Sequence, residues 1–159
     1  MTRGSGPACR GATLVEGTAE GQVLVLDAPL SFWGGMDPDS GVIVDRQHPQ
    51  CGDGLTGRIL VMTSGRGSSS SSSVLAEAIR AGTAPAGIVL AEPDEIVVLG
   101  ALVAAELYDA VRPVVQLGRT DFSRLRTGER VRVTARAGAA SVEWVGDVNN
   151  SHSAPTRPG

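Results

Sequence analysis

The chain has 159 residues, 42% of them hydrophobic, 19% charged and 3% aromatic, with a mean hydropathy of +0.05; this excludes a mostly disordered chain and suits one domain with a real core. The net charge of −3 and pI near 5.3 argue against nucleic acid as a partner. All 14 basic residues are arginine, which excludes Schiff-base or Walker-type lysine chemistry and reads as the codon bias of a GC-rich, bacterial gene.

Residues 1–9, MTRGSGPAC, are small, polar and turn-rich, and are expected to be disordered, Cys9 with them. Strands rich in Val, Ile and Leu are predicted at Gln22–Leu26, Val42–Val44, Arg58–Met62, Gly87–Leu90, Val114–Leu117 and Arg130–Thr134. Only RVRVT alternates strictly and should have one wet face; the others are continuous, as buried strands are. Val74–Arg80 reads as a helix, preceded by serines and stopped by Gly82 and Pro85. Asp94 should cap a second helix running to about Tyr108, with Gly100 a mild weakness inside it. The tail, residues 147–159, holds a single aliphatic side chain, Val148, so it is expected to be disordered and to leave His152 in solvent. The working domain is then 10–146. From Arg58 onward the order is strand, helix, strand, helix, strand, which favours parallel pairing by right-handed crossovers. The flanking strands are expected to form a separate β layer. The class is mixed α/β.

The longest uncharged apolar run, Ile96–Ala105, is about half a bilayer span, so no membrane helix is expected. No charged segment precedes an apolar stretch near Met1, so no signal peptide is expected and the cytoplasm is the default. Cys9 and Cys51 are the two cysteines, and no disulfide follows from them in such a compartment. Nor can two thiols supply the usual four ligands of an iron–sulfur cluster; if the function needs one, another chain must hold it.

Two stretches carry chemical information. The first, Thr63-Ser64-Gly65-Arg66-Gly67 followed by Ser68 through Ser73, joins a predicted strand to a predicted helix. By composition it is a serine linker; by position it puts backbone N–H groups and hydroxyls at a helix N-terminus, where an anion is favoured. Arg66 can grip a carboxylate in bidentate fashion. Without lysine the run is no nucleotide P-loop, and an organic-acid site fits it better. The second stretch is Pro29–Pro49, PLSFWGGMDPDSGVIVDRQHP. Its residues Ser31, Phe32, Trp33 and His48 are candidates for a lid or site lining, against the plainer reading of a turn packed on the core. Asp37, Asp39, Asp45, His48 and Cys51 match neither an EF-hand loop nor a zinc signature, so no metal site is assigned.

Three segments in order, SFWGGMDPDSGVIVDRQHP, GRILVMTSGRGSSSSSSVLAEAIRAGTAPAGIV and GALVAAELY, resemble the small, swivelling subunit of aconitase X over roughly residues 11–120. The resemblance implies a swivelling β/β/α fold like the mobile fourth domain of aconitase. It also implies a large subunit, fused or separate, that carries the metal-ligating cysteines and forms a shared cleft with this chain. Iron or an iron–sulfur cluster is accordingly expected in that partner, and no cofactor in this chain. Ser68 matches the position of the family's catalytic base, with Ser69, Ser70 and the Gly67 backbone holding the substrate carboxylate; Cys51 inherits no role. Family activities divide between dehydration of cis-3-hydroxy-L-proline to 1-pyrroline-2-carboxylate and dehydration of mevalonate 5-phosphate. The arginine-only composition tilts toward the bacterial, hydroxyproline activity. Two other classes stay open: a swivelling module that closes over a ligand without catalysis, and a stand-alone anion-binding protein.

Overall fold

The computed structural model describes residues 8–67 and 69–146. Among them seven strands, β1 (Cys9–Val15), β2 (Gly17–Val25), β3 (Ile59–Met62), β4 (Gly87–Leu90), β5 (Val114–Leu117), β6 (Arg130–Arg136) and β7 (Ala139–Trp144), close a barrel in the order β1-β5-β4-β3-β2-β6-β7. β3, β4 and β5 run parallel, with Leu60 opposite Ile88, as the strand–helix–strand order predicts; β2, one of the flanking strands, also runs parallel to β3, with Leu24 opposite Leu60. β1, β6 and β7 complete the ring in antiparallel pairs. The flanking strands therefore do not form the separate layer expected of them. They join the parallel strands edge to edge, which removes every open edge.

The uninterrupted apolar runs are explained by burial on two sides. Ile59 and Val61 of β3 point into the barrel with Val23, Val89, Val115, Val131 and Val133. Leu60 and Met62 point the other way, with Leu24, Ile88 and Leu90, beneath the helices α2 (Ser70–Ala81) and α3 (Glu95–Tyr108). β6 has the predicted wet face: Val131, Val133 and Ala135 are buried while Arg130, Arg132 and Arg136 are exposed. α3 has the bounds that Asp94 and Tyr108 predict. Gly100 is no weakness, because a Cβ there would lie 2.9 Å from the Ser72 carbonyl oxygen and 3.1 Å from Leu75 Cβ. It is where α3 lies on α2. No helix among the described residues is long and apolar enough to cross a membrane.

Four further expectations are corrected. Cys9 does not belong to a disordered end: it opens β1, pairs with Val142 and is fully buried. Its strand, CRGATLV, has few β-branched residues and is held in place by closure between β5 and β7 rather than by propensity. The domain thus begins before residue 10. Val42–Val44 is not a strand, since Val42 and Ile43 make only isolated bridges, to Gly54 and Met36. α2 starts at Ser70, four residues before the predicted start at Val74, so the serines form its first turn. Sequence reading also missed β7 and two four-residue turns, α1 (Phe32–Gly35) and α4 (Arg119–Phe122). The expectations for residues 1–7 and 147–159, His152 included, and for Ser68 lie outside the described residues.

Candidate functional site

The parallel strands all end at one rim, the usual place for ligands in such sheets. There the two stretches singled out by sequence run side by side. Leu30 forms a parallel bridge with Gly65, and the Arg66 amide donates to the Leu30 carbonyl oxygen at 3.2 Å. Gly67 has φ +106°, and a Cβ at that position would lie 2.4 Å from Ser31 Oγ. Only glycine can make this turn so close to Ser31.

Beyond the turn, Ser69 occupies the N-cap of α2, but its side chain makes no capping hydrogen bond, and the first turn holds no acidic residue. The Ser72 amide and hydroxyl both turn back to the Ser69 carbonyl oxygen, at 3.1 and 2.7 Å. The positive end of α2 thus faces the rim without a carboxylate of its own, a setting that favours a bound anion. Arg66 is exposed and has no ion-pair partner among the described residues. Arg119, which sequence reading missed, starts α4 just after β5 and lines a cavity of about 390 Å³ with Thr63, Ala91 and Phe122. Its placement at the rim depends on the barrel, so no local motif could have marked it.

The lid candidates separate. Phe32 is buried in the core, whereas Trp33 is 62% exposed beside the Gly67 turn. Ser31 Oγ donates to the Trp33 carbonyl oxygen at 2.9 Å and lies 3.1 Å from Ser71 Oγ, which accepts the Trp33 amide at 3.2 Å. His48 is buried, with both ring nitrogens engaged. Nδ1 accepts the Gln50 amide at 3.0 Å, which fixes the proton on Nε2, donated to the Ala28 carbonyl oxygen at 2.9 Å. The imidazole braces the segment leading into Ser31. No three His, Cys, Asp or Glu side chains gather into a metal-holding group among the described residues. Burial, with Asp121 nearby, pushes the Cys9 thiol up from its ordinary value, so Cys9 is no nucleophile.

A closed mixed barrel with helices on one side and a serine-rich loop carrying Arg66 on its rim defines an α/β domain with polar groups gathered at the ends of its parallel strands. A family model described as the aconitase X swivel domain matches residues 8–142, and the chain belongs to that family. It is 53% identical over 106 residues to cis-3-hydroxy-L-proline dehydratase of Pseudomonas aeruginosa, a match covering 67% of this chain and 18% of that protein. It is 38% identical over 133 residues to the phosphomevalonate dehydratase small subunit of Thermococcus gammatolerans, covering 84% of this chain and 95% of that one. A crystal structure of Thermococcus kodakaraensis aconitase X in its holo-form is similar in fold, with a TM-score of 0.77 and 37% identity over 89% of this chain and 100% of that chain. The chain therefore spans about a fifth of the Pseudomonas relative and nearly the whole of the Thermococcus small subunit.

Proposed function

We propose that this chain is the small subunit of an aconitase X-type hydro-lyase that dehydrates cis-3-hydroxy-L-proline to 1-pyrroline-2-carboxylate, and that a larger chain completes its site. The observation that carries the substrate is the 53% identity to the Pseudomonas dehydratase. In this reading the substrate carboxylate sits against the Gly67 backbone, Ser69, Ser70 and Arg66 at the positive end of α2. Ser68, as the alkoxide, takes the proton α to that carboxylate, the C–H electron pair forms the C2–C3 double bond, and the β-hydroxyl leaves as hydroxide, which takes the proton back from the Ser68 hydroxyl to give water and restore the base; the enamine then moves its N–H proton to C3 to give 1-pyrroline-2-carboxylate. A serine alkoxide is a poor base in water; Arg66 and the helix N-terminus stabilise its charged form. Two cysteines fall short of the four thiolates that usually hold an iron–sulfur cluster, so in this reading the iron or iron–sulfur cluster is held by the larger chain.

A second reading has its own support. The match to the Thermococcus small subunit covers 95% of that chain, which favours a separate small subunit acting on mevalonate 5-phosphate. Co-expression with the larger chain and parallel assays of both substrates decide between them. Dehydration of cis-3-hydroxy-L-proline is expected, with no turnover by the isolated small chain. Turnover of mevalonate 5-phosphate alone would reverse the substrate assignment. Activity of the isolated chain would overturn the shared site.

A further inference from the structure

We infer that Ser71, which has no part in the reading above, is a positioning residue that ties Trp33 and the Gly67 turn to α2. Its side chain is nearly fully buried, at 2% exposure. A buried serine inside a helix usually returns its hydroxyl to a carbonyl of the preceding turn, as Ser72 does to Ser69. Ser71 instead reaches across to the 31–35 turn. Each hydroxyl has one proton to give. That of Ser31 goes to the Trp33 carbonyl oxygen, so in the 3.1 Å contact between the two serines Ser71 is the donor. The Trp33 amide donates to Ser71 in turn. The three bonds close a ring in which both hydroxyls donate once and accept once, an arrangement whose members polarise and strengthen one another.

The ring fixes two neighbours at once. Both backbone polar groups of Trp33 are spent in it, which holds an exposed indole on a residue whose ψ of 117° is not helical. Gly67 lies directly on it, its Cβ direction aimed at Ser31 Oγ at 2.4 Å and Ser71 Oγ at 3.3 Å. The ring is thus the floor on which the Gly67 turn rests, and Gly67 is the residue before Ser68 in the chain. The kinetic consequence rests on the dehydratase reading; the tie itself does not.

Two measurements test this, chosen so that the two ideas fail separately. In the isolated chain, Trp144→Phe leaves Trp33 as the sole tryptophan. In that background Ser71→Ala is expected to lower Trp33 fluorescence anisotropy and to raise its acrylamide quenching constant about twofold. Ser31→Ala should do the same, and the double variant should add nothing, as members of one ring do. In the complex with the larger chain, Ser71→Ala should lower kcat about tenfold, with KM within threefold, because a displaced catalytic group costs turnover more than binding. Unchanged anisotropy would show that the tie does not exist. Lowered anisotropy with kcat within twofold of wild type would overturn the positioning role. If Ser71→Ala does not fold, Ser31→Ala, on a half-buried residue, carries both arms. If the wild-type complex dehydrates neither substrate, the dehydratase reading fails and the fluorescence arm alone decides the tie.

Discussion

The two strand-to-helix crossovers of this domain are built from the same parts and finished differently. β4 passes to α3 through a short turn: the Ala91 and Glu92 amides donate to the Thr63 carbonyl oxygen at the start of the other crossover, and Asp94 Oδ1 accepts from the Ile96 and Val97 amides at 2.9 and 3.1 Å. Glu95 adds a second carboxylate to the first turn of α3. β3 passes to α2 through a longer loop with a left-handed glycine, a serine cap without a side-chain bond and no acidic residue in the first turn. Asp94 answers the positive end of α3 with a charge from the chain itself. At α2 that end faces the rim without one, and the serines and Arg66 beside it suit an anion brought from outside. One crossover is capped by its own carboxylate, and the other leaves its helix end open at the rim.

Substitutions should separate the two. Gly67→Ala has the largest expected effect of this set: its methyl would lie 2.4 Å from Ser31 Oγ at a φ that L-residues avoid, so turnover of the complex should fall at least ~10-fold. Steady-state kinetics check this, and a variant within twofold of wild type would show that the turn tolerates displacement. Asp94→Ala should cost about 1 kcal/mol of stability, a typical loss for an N-cap. A thermal melt would then fall by about 3 °C in a domain of this size, while turnover of the folded complex stays within twofold. Ser72→Ala is the mildest. Among the described residues its hydroxyl bonds only the Ser69 carbonyl oxygen, and alanine is the better helix former, so stability should move by less than about 0.5 kcal/mol in either direction.

The parallel core was legible because burial on both faces leaves its mark in the chain: ILVM and GIVL are apolar without interruption, and VVQL is broken only by Gln116. α3 was legible because its cap and its apolar run are local features. What escaped depends on distant partners. β1 and β7 carry modest strand propensity and exist because the barrel closes through them. The serine run reads as a cap or a linker, and only packing against α3 and the 31–35 turn draws α2 back to Ser70. The candidate site divides the same way. Arg66, Gly67 and Ser69 are marked by their spacing, whereas Ser71, one serine in six, is singled out only by the fold that sets it against Ser31.

In the proposed function the under-capped crossover is the reactive end of the chain and Ser68 is its base. The direct test is steady-state turnover of the Ser68→Ala complex, reconstituted with the larger chain and assayed beside wild type. A fall of at least ~10²-fold in kcat, the scale of general-base catalysis, with little change in KM, is the predicted result. Near-normal turnover in Ser68→Ala would contradict it.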